Sequence, residues 1–120
     1  MAIAISVTNV DATGVTTWMT GTLVFSGSYA TGGDALDWTV AMETVGASGQ
    51  VVASGSGPQQ VMIDSQNGNA GYYVPVQGSG INNWKVKCFT GGGTEVSAGA
   101  YPGSITGDIV AFQAQFKRLQ

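Results

Sequence analysis

DIVAFQAQFKRL, residues 108–119, alternates without a break: Val110, Phe112, Ala114 and Phe116 fall on one side of an extended chain, and Gln113, Gln115 and Lys117 on the other. Successive side chains of a strand point to opposite faces, so this spacing predicts a strand with one buried and one wetted face. The same period recurs upstream. Asn83–Thr90 sets Trp84, Val86 and Cys88 against Lys85, Lys87 and Phe89, and Leu36–Thr44 sets Leu36, Trp38, Val40 and Met42 against Asp37, Thr39, Ala41 and Glu43. Ala2–Val10 places Ile3, Ile5 and Val7 opposite Ala4, Ser6 and Thr8.

Between these segments the chain turns often. Asp11–Gly14 reads as a turn leading into a strand over Thr17–Ser26, where Gly21 marks a bulge or a close backbone approach. Gln50–Ala53 reads as a short strand in a hairpin with Leu36–Thr44, and Gln59–Asp64 as another. QNGNAG, residues 66–71, is turn chemistry, since Asn and Gly accept positive φ. In the strand Gly71–Val76, Pro75 cannot donate to a ladder, which predicts an edge strand or a strand end. Ala98–Gly107 reads as a Gly-rich connection. About eight strands and no helical stripe predict an all-β fold, an antiparallel, jelly-roll-like β-sandwich forming a single domain over residues 1–120.

Composition agrees. Gly, Ser and Thr make up about a third of the 120 residues, 43% are apolar and only 9% are charged, a balance foreign to disorder and to coiled coils. With no His, His-based triads and the usual zinc sets are excluded. The single Cys88 makes no internal disulfide, reads as a core residue, and suits a reducing compartment. All four basic residues lie at or beyond Lys85 and the net charge is −3, which argues against nucleic acid as a partner. The opening MAIAISV lacks the basic flank of a signal peptide, and no run reaches the ~20 apolar residues of a membrane span.

The candidates for chemistry are few. Asp34 and Asp37 read as a turn cap and a solvated strand residue more readily than as a carboxylate pair or a calcium loop. The Gly-rich triplets do not have phosphate-loop spacing. Neither a catalytic residue, a metal ligand nor a cofactor is expected. Tyr29 and Tyr101 lie in loops and are the aromatic candidates for a partner surface. Lys117 and Arg118 form a basic end, and the terminal strand with Ile3 and Ile5 is placed to swing out and add to a neighbour's sheet edge.

Three stretches together carry a resemblance: FSGSYATGGDAL (residues 25–36), WKVKCFTGGGTEV (84–96) and YPGSITGDIVAFQAQFKRL (101–119). An SYxTGGxxL loop, a strand leading into a Gly-rich hairpin and a closing VxFxAxFxR strand resemble small tailed-bacteriophage virion proteins of the capsid decoration or cement type. The resemblance covers the first 36 and last 37 residues; residues 37–83 carry none. It implies a non-enzymatic structural protein that binds and stabilises an assembled capsid. Its partner would be the major capsid protein, its place the capsid exterior after assembly in the host cytoplasm, and its oligomeric state a trimer. A tail- or head-fibre-associated module and a carbohydrate-binding β-sandwich are the alternatives. Coplanar aromatic rings open on one sheet face would mark the sugar binder, and an apolar rim or terminal arm the shell binder.

Overall fold

The closing strand sits in the middle of a sheet, as its two-faced pattern requires. The computed structural model describes residues 3–13, 16–39, 57–68 and 71–117. Among them, β1 (Ile3–Thr13), β2 (Thr16–Phe25), β5 (Gln60–Ser65) and β9 (Val110–Lys117) form a sheet of order β1-β2-β9-β5. A second sheet has the order β4-β7-β6, from β4 (Asp34–Leu36), β7 (Trp84–Phe89) and β6 (Tyr72–Val76). The two-residue strands β3 (Ser28–Tyr29) and β8 (Gly99–Ala100) pair separately. Every pairing is antiparallel.

Alternation along each strand delivers one side to a shared core. Val110, Phe112, Ala114 and Phe116 of β9 are buried with Met19, Leu23 and Phe25 of β2 and with Trp84, Val86 and Cys88 of β7. Phe25 stacks on Tyr73 at 5.2 Å between ring centroids, joining the two sheets, and Trp38 meets Phe112 and Phe116 edge-on at 5.3 and 5.7 Å. Such aromatic pairs add about 0.5–1.5 kcal/mol each beyond the area they bury. Two antiparallel sheets closing on one apolar core form an all-β sandwich.

Gly21 is the close approach its sequence position announces. The β1–β2 register shifts between Val7 and Asn9, so β1 carries an extra residue opposite Gly21–Thr20. A Cβ at Gly21 would overlap the Ser6 carbonyl oxygen and lie 2.9 Å from Phe112 Cε1. A bulge of this kind sharpens the strand's twist and turns its outer edge away from pairing.

Three local readings are corrected. β1 continues through Thr13, with Asp11 opposite Trp18, so residues 11–13 are strand where a turn is expected. The strand expected over Leu36–Thr44 ends at Leu36, and residues 38–39 are helical. Asp37 explains that break: its Oδ1 accepts the Thr39 N–H at 2.9 Å, a local bond that competes with a ladder. Residues 40–44 and the partner strand Gln50–Ala53 lie outside the described residues. The connection 98–107 is not wholly irregular, holding β8 and a one-turn helix, Gly103–Thr106. β6 is an edge strand, one of the two placements Pro75 allows.

Candidate functional site

The SYATGGDAL stretch builds a tight corner between β3 and β4. Ala30 C=O accepts the Gly33 N–H at 3.0 Å, and Gly32 and Gly33 adopt φ of 95° and 114°, a region that favours glycine. Gly33 has a second constraint, because a Cβ there would meet the Val86 carbonyl at 3.0 Å. The corner is then fastened by carboxylates. Asp34 Oδ1 accepts the Ala30 N–H at 3.1 Å, and its Oδ2 accepts the Tyr101 hydroxyl. Glu95 Oε2 accepts the Gly32 N–H at 2.8 Å and the Tyr29 hydroxyl at 2.7 Å. The Tyr29 oxygen in turn accepts the Cys88 N–H at 3.2 Å.

All three stretches that carry the family resemblance therefore meet in space. The corner contributes Tyr29, Gly32 and Asp34, the β7 hairpin contributes Cys88 and Glu95, and the closing segment contributes Tyr101. A third pair of the same kind lies further along the core: Asp108 accepts the Tyr73 hydroxyl at 2.6 Å and the Ser65 hydroxyl at 2.8 Å.

The electrostatics of this cluster suit fastening. Burial, followed by the hydrogen bond to Glu95, pushes the Tyr29 hydroxyl up to about 12. Burial first and the bond to Asp34 second raise Tyr101 further still, and Tyr73 rises for the equivalent reasons beside Asp108. The Cys88 thiol is pushed up to about 12 by burial and by the charges of Asp34 and Glu95. The Gly32 N–H and the Tyr29 hydroxyl hold Glu95 below the ordinary carboxylate value. These shifts keep each group in its neutral-pH state and leave the thiol protonated. Among the described residues no group of three or more His, Cys, Asp or Glu side chains gathers into a metal-binding set.

No protein-family model, curated protein or solved structure matches the chain.

The residues singled out from the sequence separate into buried and terminal sets. Tyr29 and Tyr101, expected on a partner surface, are only 2% and 7% exposed. Position in a loop left their hydroxyls' partners, more than sixty residues away in the chain, out of view. Ile3 and Ile5 are 1% and 7% exposed. β1 pairs with β2 from end to end, so in this state the terminal strand belongs to its own fold and is not a free arm. Lys117 ends β9 opposite Thr16, and Arg118 lies outside the described residues. Asp34 and Asp37 act on the backbone, as a corner brace and a cap.

The surface offers two features that sequence reasoning missed. On the outer face of the β4-β7-β6 sheet, the register sets Tyr72 beside Phe89, Val74 beside Lys87 and Val76 beside Lys85. Tyr72 and Val74 are exposed, and the strip carries half of the chain's basic residues, with Glu95 bridged to Phe89 at its border. The second feature is an open groove of about 420 Å³ between β5 and β6, lined by Ile63, Asp64, Ser65, Tyr72, Tyr73 and Val74 with Gly68 and Gly71. The edge position that Pro75 announces was the sequence signal for both. Trp18, 39% exposed, belongs to the other sheet, so the exposed aromatic rings share no face.

Proposed function

We propose that the chain is a non-enzymatic structural protein of a tailed-bacteriophage virion that docks on the assembled capsid. The strip formed by Tyr72, Val74, Val76 and Phe89 with Lys85 and Lys87 is the observation that carries this reading. An apolar surface with cations interleaved suits an apolar, acidic patch repeated over a protein shell. Binding an assembled shell in preference to its dissociated subunits stabilises the shell by mass action, once for every occupied site. Support also comes from the chemistry-bearing side chains. Asp34, Glu95 and Asp108 are engaged as acceptors of tyrosine hydroxyls, and Cys88 is buried, so these groups brace the fold.

The sugar-binding alternative, read as a platform of coplanar rings on one face, is not favoured, because Trp18 and Tyr72 lie on different sheets. Co-sedimentation tests the docking reading, using empty heads assembled from the major capsid gene that this reading expects beside the chain's own gene. Wild-type protein is expected to pellet with heads, and Val74→Asp combined with Lys85→Glu and Lys87→Glu to stay in the supernatant. The absence of a neighbouring capsid gene, or equal pelleting of both proteins, contradicts it.

A further inference from the structure

We propose that the groove between β5 and β6 is a binding site for a neutral pyranose residue, a role beyond docking although the groove shares Tyr72 and Val74 with the outer strip. The backbone of its two walls is the first argument. Gln66 N–H donates to the Ile109 carbonyl at 2.7 Å, which extends the β5–β9 register by one hydrogen-bonded pair. Antiparallel ladders alternate, so the N–H and C=O groups of Ile63 and Ser65 point away from β9. On the other wall, Cys88 directs its N–H to the Tyr29 oxygen and its C=O to the Val96 N–H. Tyr73 lies opposite Cys88 and is therefore in a pair without ladder bonds to β7. Its N–H and C=O also point to the free edge. β5 and β6 are not paired to one another, so the groove is bordered by fixed donors and acceptors from both strands. Such groups require partners from water or a ligand.

The side chains narrow the ligand class. Tyr72 is 50% exposed and presents an aromatic ring at the rim. Asp64 is exposed, and no hydrogen bond or ion pair engages its carboxylate among the described residues. Ser65 and Tyr73 hold their hydroxyls on Asp108, which makes them rigid walls. Vicinal hydroxyls both donate and accept, which matches a carboxylate beside backbone N–H groups, while the C–H face of a pyranose covers an aromatic ring. Among the described residues the lining contains no Lys or Arg, which disfavours phosphorylated or acidic sugars. The groove volume lies within the ordinary range for small-molecule sites.

The test is amide-shift titration of the full chain with the methyl glycosides of glucose, galactose and N-acetylglucosamine, followed by the corresponding linear oligosaccharides. At least one glycoside is expected to bind in the millimolar range, with shifts centred on Ile63, Ser65 and Tyr73. Tyr72→Ala should weaken it about tenfold, a change of about 1.4 kcal/mol in binding free energy. Trp18→Ala should leave it unchanged, and both exposed positions tolerate truncation without loss of the core. Tighter binding of an oligosaccharide at the same amides would mark a polymeric glycan as the source, and equal affinity a single terminal residue. Absence of shifts with every sugar, shifts centred on Trp18, or occupation of the groove only by peptide overturns the assignment. Head binding by Asp64→Asn, a change in the groove outside the docking strip, is read separately, so failure of the groove and failure of docking are distinguishable.

Discussion

The Tyr73 hydroxyl donates to Asp108 Oδ2 at 2.6 Å, tying β6 of one sheet to the residue that leads into β9 of the other. Tyr29 with Glu95 and Tyr101 with Asp34 repeat the arrangement, so three tyrosine–carboxylate pairs tie segments distant in sequence around the core. In a chain with few charges, the acids near the core are thereby spent on cohesion.

Removing one of these hydroxyls isolates its contribution. Tyr73→Phe keeps the ring stacked on Phe25 and leaves Asp108 with Ser65 as its remaining partner. A hydrogen bond to a charged acceptor contributes about 1.5–3 kcal/mol, so urea denaturation should show a loss of that size. Unchanged stability would show that the pair is spectator geometry.

Gly21→Ala should be among the most damaging small changes in the protein. Its methyl group collides with the β1 backbone at Ser6 and with the Phe112 ring, and backbone cannot yield as a flexible side chain can. Overpacking of this kind costs about 1–3 kcal/mol and more where backbone must move. Gly103→Ala is the control, with open space around its Cβ and no positive φ. Equal thermal melts for the two variants would refute the close approach.

The Glu95 pair makes stability depend on pH at both ends. The folded carboxyl is held below its unfolded value, so its contribution is present above about 4.5 and is lost as pH falls through the lower folded value. The Tyr29 hydroxyl runs the other way: raised from 10.0 to about 12, it contributes fully below 10.0 and loses that contribution as pH rises toward about 12. Glu95→Gln should flatten the acid limb of a plot of unfolding free energy against pH. An acid limb identical to wild type would remove Glu95 from the explanation.

Cys88 should be silent toward thiol reagents in the folded protein. It is fully buried and its thiol is pushed up to about 12, so the reactive thiolate is scarce at neutral pH. Reaction with a chromogenic disulfide is expected only on unfolding in denaturant. Prompt reaction in native buffer would place the thiol at the surface.

Much of the fold was legible where alternation was long and locally unopposed. β9, β7 and β2 carry their buried residues at every second position, and Gly21 and Pro75 mark a bulge site and an edge by local sterics alone. Leu36–Thr44 misled because alternation there coexists with Asp37, whose side chain captures a nearby N–H and ends the strand. Tyr29 and Tyr101 misled for a different reason. Their burial depends on carboxylates brought from 66 and 67 residues away, and loop composition holds no record of such partners. Pro75 marked one wall of the groove as an edge, but the groove itself exists only where the edge strands of two sheets run side by side, a tertiary juxtaposition with no local signal.

Docking on a capsid is tested most directly by a cryo-EM map of the particle that carries this protein. Density for the sandwich should lie on the outer surface of the shell, with the face of Tyr72, Val74, Lys85 and Lys87 turned toward the capsid protein. Particles bare of this density, or density held through the opposite sheet with Trp18 at the contact, would contradict it.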